Sequence, residues 1–125
     1  MWRGPILSST LTQIYQEVVW EELDFLLIDM PPGTGDTAIT VMQGFKLDGI
    51  VAVGTPQKMV SVIVKKIVNM AAVLNTPVVG LVENLSYITA SNGEKLNVWG
   101  RESAEWHAND LNLPLLAEFP INHEL

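Results

Sequence analysis

The fold of this chain is decided by one stretch, Phe25-Leu26-Leu27-Ile28-Asp29-Met30-Pro31-Pro32-Gly33-Thr34-Gly35-Asp36. A short apolar run ends on one carboxylate, two prolines then exclude a helix, and two glycines allow tight backbone turns. An amphipathic segment follows. The pattern therefore predicts a buried strand over 25–29, a rigid loop, and a helix for which Asp36 is the N-cap.

The chemistry of this loop suits an anionic ligand that carries a metal ion. In α/β proteins, ligands bind beyond the carboxyl ends of parallel strands. The backbone N–H groups of Gly33, Thr34 and Gly35 can face an anion there, and the helix dipole adds to the attraction. Asp29 can hold a hydrated Mg²⁺, which takes one or two carboxylates together with water and phosphate. The alternative is a solvent-exposed turn without a ligand.

Composition narrows the class of protein. At 125 residues, 48% of them hydrophobic and 17% charged, the chain is long and apolar enough for one domain with a real core. A formal net charge of −7 with only seven lysines and arginines argues against nucleic acid and against an anionic membrane as partners. The chain has no cysteine, no signal peptide and no long apolar run, so we expect a cytoplasmic protein without disulfides.

Hydrophobic periodicity divides the chain into alternating helices and strands. Helices are predicted over about 6–18, 37–46, 58–74 and 102–110, and buried strands over 49–54, 78–82 and 113–121. Glu83–Tyr87 is predicted to be a loop, and Asn92-Gly93 to be the turn of a hairpin whose second strand covers 96–100. The predicted fold is α/β, a parallel sheet with flanking helices and a small hairpin near 86–99, in a single domain over residues 1–125.

The segment Asp29–Asp36, DMPPGTGD, closely resembles the DxPPGTGD signature of the Mrp/ApbC-type P-loop ATPases. These are MinD/ParA-related proteins that carry iron–sulfur clusters. Other segments also resemble this family: WRGP at 2–5, TPQ at 55–57, ENLSY at 83–87 and PLLAEFPI at 114–121. The resemblance extends over nearly the whole chain, but it covers only the C-terminal half of the family's ATPase domain.

The resemblance implies ATP and Mg²⁺ as cofactors and assigns roles to particular residues. The Asn84 amide, for example, can both donate to and accept from the edge of an adenine base. Without the resemblance, a turn and a nucleotide-facing loop are equally compatible with Thr55-Pro56-Gln57, whereas for Asn84 the capping of a turn is favoured over a contact with a base. The implied assignments are Asp29 for the metal, Gly33, Thr34 and Gly35 beside the γ-phosphate, Asp36 near the attacking water as the catalytic candidate, Gln57 in a nucleotide-facing loop, Asn84 for the base, and Pro120 against the adenine.

Two features of the family are missing from this sequence. There is no GxxxxGK[ST] loop, which would cradle the phosphates and supply the phosphate-binding lysine. The family's CPxCG segment, which holds an iron–sulfur cluster between two subunits, corresponds to residues near Ala90 and Asn92, without thiolates. We therefore expect a partial P-loop domain that lacks the strand carrying the phosphate loop and is inactive alone. Whether the chain is an enzyme stays open.

Three functions are compatible with these features. The first is part of an ATP-binding and ATP-hydrolysing iron–sulfur cluster assembly carrier that serves client proteins. The second is a fragment of a MinD/ParA-like positioning ATPase. The third is a non-catalytic interaction module that dimerises with full-length relatives. The resemblance implies a homodimer or a dimer with such a relative, and nucleotide binding by the isolated chain would discriminate the third function from the first.

Overall fold

The structure is a computed structural model that describes residues 3–100 and 103–122. The chain divides into two compact units, one ending at Leu47 and the other beginning at Asp48. The single domain over residues 1–125 stays a prediction. The elements are α1 (Arg3–Glu17), α2 (Asp36–Gly44), β1 (Ile50–Gly54), α3 (Lys58–Val73), β2 (Val78–Thr89), β3 (Lys95–Leu96), α4 (Ala104–Asp110) and β4 (Leu115–Pro120).

The first unit is built on the contact between α1 and α2. The rings of Tyr15 and Phe45 stack with their centroids 4.2 Å apart and an interplanar angle of 12°. The hydroxyl oxygens of Ser8 and Thr40 lie 2.7 Å apart, within hydrogen-bonding distance. The buried side chains of α2 are those of Ala38, Val41 and Met42. The predicted helices near 6–18 and 37–46 are therefore confirmed, each with slightly shifted ends.

The predicted strand over 25–29 is wrong. Residues 18–35 contain no helix or strand, and the side chains of Phe25 and Leu27 are 84% and 91% exposed. An apolar run becomes a strand only where a neighbouring strand receives its backbone hydrogen bonds. Among the described residues, no strand pairs with this run. The sequence pattern indicated a preference for burial but could not supply the partner.

The start of α2 also differs from the prediction. Gly35, in extended conformation, is the N-cap, and Asp36 is the first helical residue. The Gly35 carbonyl accepts hydrogen bonds from the backbone N–H groups of Ala38 at 3.0 Å and Ile39 at 3.2 Å. The Asp36 carboxylate therefore does not cap the helix, although its charge in the first turn still interacts favourably with the helix dipole.

The second unit contains a mixed sheet with β2 in its middle. β1 and β4 both pair with β2 in parallel, and β3 pairs with the far end of β2 in antiparallel orientation. Helices α3 and α4 pack on this sheet, and the buried core cluster joins all of these layers. Its members are Ala52 of β1, Leu81 of β2, Val64 of α3 and Ala108 of α4. The predicted α/β class with flanking helices is confirmed.

Strand β2 is longer than predicted. Glu83–Tyr87, expected to be a loop, lies inside it, because β2 continues to pair beyond the parallel region, with Tyr87 opposite Pro120 and Ile88 opposite Leu96. From Glu83 to Tyr87, β2 advances by four residues, whereas the paired segment of β4, from Glu118 to Pro120, advances by only two. The strand bulges at this point, and Leu85 has a positive φ of 55°.

The hairpin near 86–99 is confirmed, with a shorter second strand. Gly93, with φ of 86°, occupies the turn, and its N–H donates to the Ala90 carbonyl at 2.9 Å. The predicted strand over 96–100 is replaced by the two residues of β3. The reason is local: the Asn97 side-chain oxygen accepts from the Trp99 backbone N–H at 3.0 Å, a turn that bends the chain out of the sheet.

Candidate functional site

In the loop that precedes α2, the residues that are predicted to face a ligand are largely exposed to solvent. The Asp29 side chain is exposed, and among the described residues its carboxylate has no ion-pair or hydrogen-bond partner. Gly33 has a φ of 95°, which favours glycine, and no atom lies within 4 Å of where its Cβ would be. No atom lies within 4 Å of the Cβ position of Gly35 either. The loop therefore leaves room for a ligand against its backbone.

This loop satisfies the requirements of an anion and metal site in part. Within the described residues, the backbone N–H groups of Gly33, Thr34 and Gly35 donate to no protein acceptor. They precede a nine-residue helix whose first-turn dipole favours negative charge. An exposed and unpaired carboxylate such as that of Asp29 suits a hydrated Mg²⁺. The loop thus leaves its backbone N–H groups and the Asp29 carboxylate accessible to the predicted groups, although Asp29 does not end a strand.

The other three predicted residues share one edge of the sheet in the second unit. The parallel register places Gly54 of β1 opposite Glu83 of β2, and Glu83 opposite Glu118 of β4. Gln57, Asn84 and Pro120 follow these residues by three, one and two positions. Gln57 and Pro120 therefore lie at the carboxyl ends of β1 and β4, and Asn84 lies where the regular parallel pairing of β2 ends, at the edge where α/β proteins bind ligands. The structure brings this group together, while the residues from Asp29 to Asp36 belong to the first unit.

The side chains at this edge differ in how firmly they are held. Asn84 is exposed, and its side-chain oxygen accepts from the backbone N–H of Leu85 at 2.9 Å. That hydrogen bond fixes the orientation of the Asn84 amide group at the bulge of β2. The NH₂ group of the amide lies on the side away from the bonded oxygen. Gln57 is exposed at the N-cap of α3 and makes no capping hydrogen bond through its side chain. Pro120 is half-buried and is the last residue of β4.

A buried polar network lies directly beneath this edge. Glu83 is 3% exposed, and one of its carboxylate oxygens accepts from the Ser86 hydroxyl at 2.8 Å. The other oxygen lies 2.6 Å from Nδ1 of His107, which is 7% exposed. Ser86 hydrogen-bonds the carboxylate and not the imidazole, so this trio does not have the order of an activated serine nucleophile. Its hydrogen bonds satisfy a carboxylate that would otherwise be costly to bury.

Sequence analysis missed this network, although two signals of it are present. Glu83 is a lone acid that continues the apolar run of β2. His107 follows the buried Ala104 by three positions and precedes the buried Ala108, so it lies on the buried face of α4. A histidine on such a face needs a polar partner, and a buried acid one residue before Asn84 is the natural one.

Metal ligation by clustered side chains is not seen in the part of the chain that the structure describes. No group of three or more histidine, cysteine, aspartate or glutamate side chains is arranged to hold a metal ion among those residues. The whole chain has no cysteine. The residues present therefore do not fit an iron–sulfur cluster bound by thiolates. Among the described helices, none has the length and apolar character needed to cross a membrane.

Comparison with known proteins gives consistent matches. An iron–sulfur cluster carrier protein of Clostridium perfringens is 52% identical over 125 residues, which is all of this chain and 44% of that protein. One from Methanocaldococcus jannaschii is 40% identical over 98% of this chain and 43% of that protein. The chain thus spans less than half the length of these curated relatives.

A solved structure supports the same relationship. The nucleotide-binding protein from Archaeoglobus fulgidus, in complex with ADP, superposes with a TM-score of 0.80 and 38% sequence identity. The match covers 95% of this chain and 49% of that one. The family model described as ParA, NUBPL iron-transfer P-loop NTPase, matches residues 1–125. The signature DMPPGTGD, the α/β fold and these matches agree, and the chain belongs to the ParA/NUBPL family of iron-transfer P-loop NTPases.

Proposed function

We propose that this chain belongs to an ATP-dependent iron–sulfur cluster carrier that acts in the cytoplasm, with metal-binding residues in its first unit and base-binding residues in its second unit. The observation that carries the proposal is the shared sheet edge of Gln57, Asn84 and Pro120, in a chain of this family. The open loop around Gly33 adds a surface where a phosphate can approach the backbone.

The roles follow from the chemistry of each group. Asp29 would hold Mg²⁺, which neutralises phosphate charge when bound. The N–H groups of residues 33–35 would face the terminal phosphate. Asp36, in the first turn of α2, would orient the attacking water as the catalytic residue, and Asn84 would contact the base. Phosphate binding also needs the GxxxxGK[ST] loop that this sequence lacks, so we expect no ATP hydrolysis by the chain alone.

The cluster is a substrate in this proposal, and its ligands would come from outside these residues. A chain without thiolates cannot form the cysteine-ligated cluster known in the family. Delivery of clusters to client proteins would therefore require a longer protein or a partner that contributes cysteines.

A calorimetric titration tests the phosphate part of the proposal. Mg·ATP is titrated into the purified chain, and light scattering on the same sample gives the oligomeric state. We expect a folded chain without saturable binding of Mg·ATP. Saturable binding that Asp29→Asn does not weaken would contradict the assigned roles, because it would place the phosphates and metal elsewhere.

Adenosine tests the base part without involving the phosphates. In ¹⁵N-edited NMR spectra we expect adenosine to shift the amide signals near Asn84, Gln57 and Ile121, which follows Pro120. Asn84→Ala should abolish these shifts because it removes the amide that contacts the base. Asn69→Ala is the matched control, since Asn69 is an exposed asparagine on α3. Shifts that survive Asn84→Ala would show that the base binds elsewhere.

A second candidate is the non-catalytic interaction module. The observation in its favour is a group of exposed apolar side chains on the hairpin, each between 39% and 49% exposed: Ile88, Leu96, Val98 and Trp99. Exposed apolar groups of this kind often mark protein interfaces. The test is size-exclusion chromatography with light scattering on the chain alone and mixed with the C. perfringens carrier. Val98→Lys should weaken any complex, and an unchanged complex would exclude this surface.

A further inference from the structure

We infer that the carboxylate of Glu83, held by Ser86 and His107, is a positioning group that fixes the bulge carrying Asn84 and so sets the orientation of the base-binding amide. This inference rests on the proposed function for the role of Asn84. The clamp itself is a matter of geometry and can be tested without any nucleotide.

The bulge lies where β2 leaves the parallel sheet and enters the hairpin. Glu83 is the last regularly paired residue, opposite Glu118, and regular pairing resumes only at Tyr87. Between them Leu85 has a φ of 55°, a conformation that costs a leucine energy because its Cβ crowds the following carbonyl. Such a conformation persists only where surrounding contacts determine it.

The surrounding contacts come from both sides of the strand. Above the bulge, the indole N–H of Trp99 donates to the Leu85 carbonyl at 2.7 Å, and Asn84 accepts from the Leu85 N–H. Beneath it, Glu83 bridges Ser86 and His107 at 2.8 and 2.6 Å. The carboxylate thus ties the start of the bulge at Glu83 to Ser86 within it and to His107 of α4.

The burial of this network favours a positioning role over surface solvation. Glu83, Ser86 and His107 are 3%, 6% and 7% exposed, so water does not replace a hydrogen bond that is removed. Glu83 and His107 line the same shallow depression as Thr55, two residues before Gln57. The network therefore links β2 with α4, next to the edge where the three predicted base-site residues lie.

Hydrogen exchange measured by NMR tests the clamp in the full chain. Three protons report on the bulge: the Trp99 indole N–H, the Leu85 amide, and the Ile121 amide, which donates to the Tyr87 carbonyl at 2.7 Å. The Leu81 amide, which donates to Pro114 at 2.9 Å, is the reference on the same strand. In Glu83→Gln we expect the bulge protons to exchange on the order of tenfold faster relative to the reference.

Two further variants separate positioning from general destabilisation. Ser86→Ala should accelerate the exchange of the bulge protons less than Glu83→Gln does. Ser86→Thr keeps the hydroxyl group, so its bulge protons should exchange as slowly as those of the unmodified chain. Val68→Ala removes two methyl groups that pack against the core cluster and leaves the three side chains of the clamp in place. It should accelerate exchange at the bulge and at the reference together.

The outcomes are distinct. Equal acceleration at the bulge and at the reference in both Glu83→Gln and Ser86→Ala would overturn the clamp. If the bulge protons of Glu83→Gln are accelerated more than the Leu81 reference, adenosine is then titrated into this variant. Loss of the adenosine-induced shifts near Asn84 in a folded variant supports the positioning role. Adenosine shifts that persist in Glu83→Gln would overturn that role. Absence of shifts in the unmodified chain would instead refute the base site, while the exchange contrast would still decide the clamp.

Discussion

Replacing Gly80 with alanine should destabilise the second unit because two strands approach closely at this position. A Cβ on Gly80 would lie 2.6 Å from the Pro114 carbonyl oxygen and 2.7 Å from Cγ of Leu116. The side chain of Leu116 can move, but the carbonyl is held by its hydrogen bond from the Leu81 N–H at 2.9 Å. The added methyl group can be accommodated only if the β2–β4 pairing shifts.

The magnitude follows from these contacts. Overpacking a well-packed site costs about 1–3 kcal/mol. Weakening the Leu81 hydrogen bond adds about 1 kcal/mol, and the lower unfolded-state entropy of alanine returns about 0.5–1 kcal/mol. We expect a loss of about 1–3.5 kcal/mol in the free energy of unfolding. In urea, with a slope of about 2 kcal/mol per molar, the midpoint should fall by about 0.5–2 M.

The assay is urea unfolding followed by circular dichroism, with two companions. Leu116→Ala in the Gly80→Ala background should recover only part of the loss, because the Pro114 carbonyl remains in place. Gly44→Ala is the matched control, since no atom lies within 4 Å of its Cβ position and alanine favours the helix by about 0.5–1 kcal/mol. A Gly80→Ala chain that unfolds at the original midpoint would refute the reasoning, and full recovery by Leu116→Ala would show that the carbonyl is not limiting.

Three further predictions use the same unfolding measurement. Ser103→Ala removes the N-cap of α4, whose hydroxyl accepts from the Trp106 N–H at 3.3 Å, and should cost about 0.5–2 kcal/mol; an unchanged midpoint would mean that this long bond contributes nothing. The hydrogen bond with Glu118 raises the pKa of Lys95 above its ordinary value of 10.5. The ion pair therefore contributes its full stabilisation of the folded state below pH 10.5, and this stabilisation is lost as the pH rises through the folded-state pKa. Lys95→Met should therefore flatten the alkaline fall in midpoint, and an identical fall in both proteins would contradict the assignment. Gly93→Ala should cost about 1–2 kcal/mol because its φ of 86° strains alanine, and NMR should show the hairpin pairing weakened; an intact and equally stable hairpin would exclude that strain.

Sequence analysis succeeded where a pattern depends on near neighbours in the chain. Side chains at three- and four-residue spacing, apolar in α1 and α2 and polar in α3, placed these three helices within a few residues of their observed ends. Asn92-Gly93 predicted the hairpin turn, since few other residues accept the backbone conformation that Gly93 adopts. The signature at 29–36 identified the family, which the comparisons confirm.

The predictions that were wrong depend on a partner elsewhere in the chain. The run at 25–29 has the composition of a buried strand but no described strand to pair with. The segment at 83–87 has the composition of a loop, yet pairing with β3 and β4 keeps it within a strand. Backbone hydrogen bonds between strands join residues far apart in sequence, so local composition does not fix them.

By itself, the sequence determined the helices and the family, because side-chain spacing, backbone preference and a contiguous signature act over a few residues. Only the tertiary structure decided that Gln57, Asn84 and Pro120 lie at one sheet edge, and that Glu83 and His107 meet beneath it. Parallel pairing sets the first of these, and burial requires the second, because a carboxylate and an imidazole enclosed together must satisfy each other's hydrogen bonds.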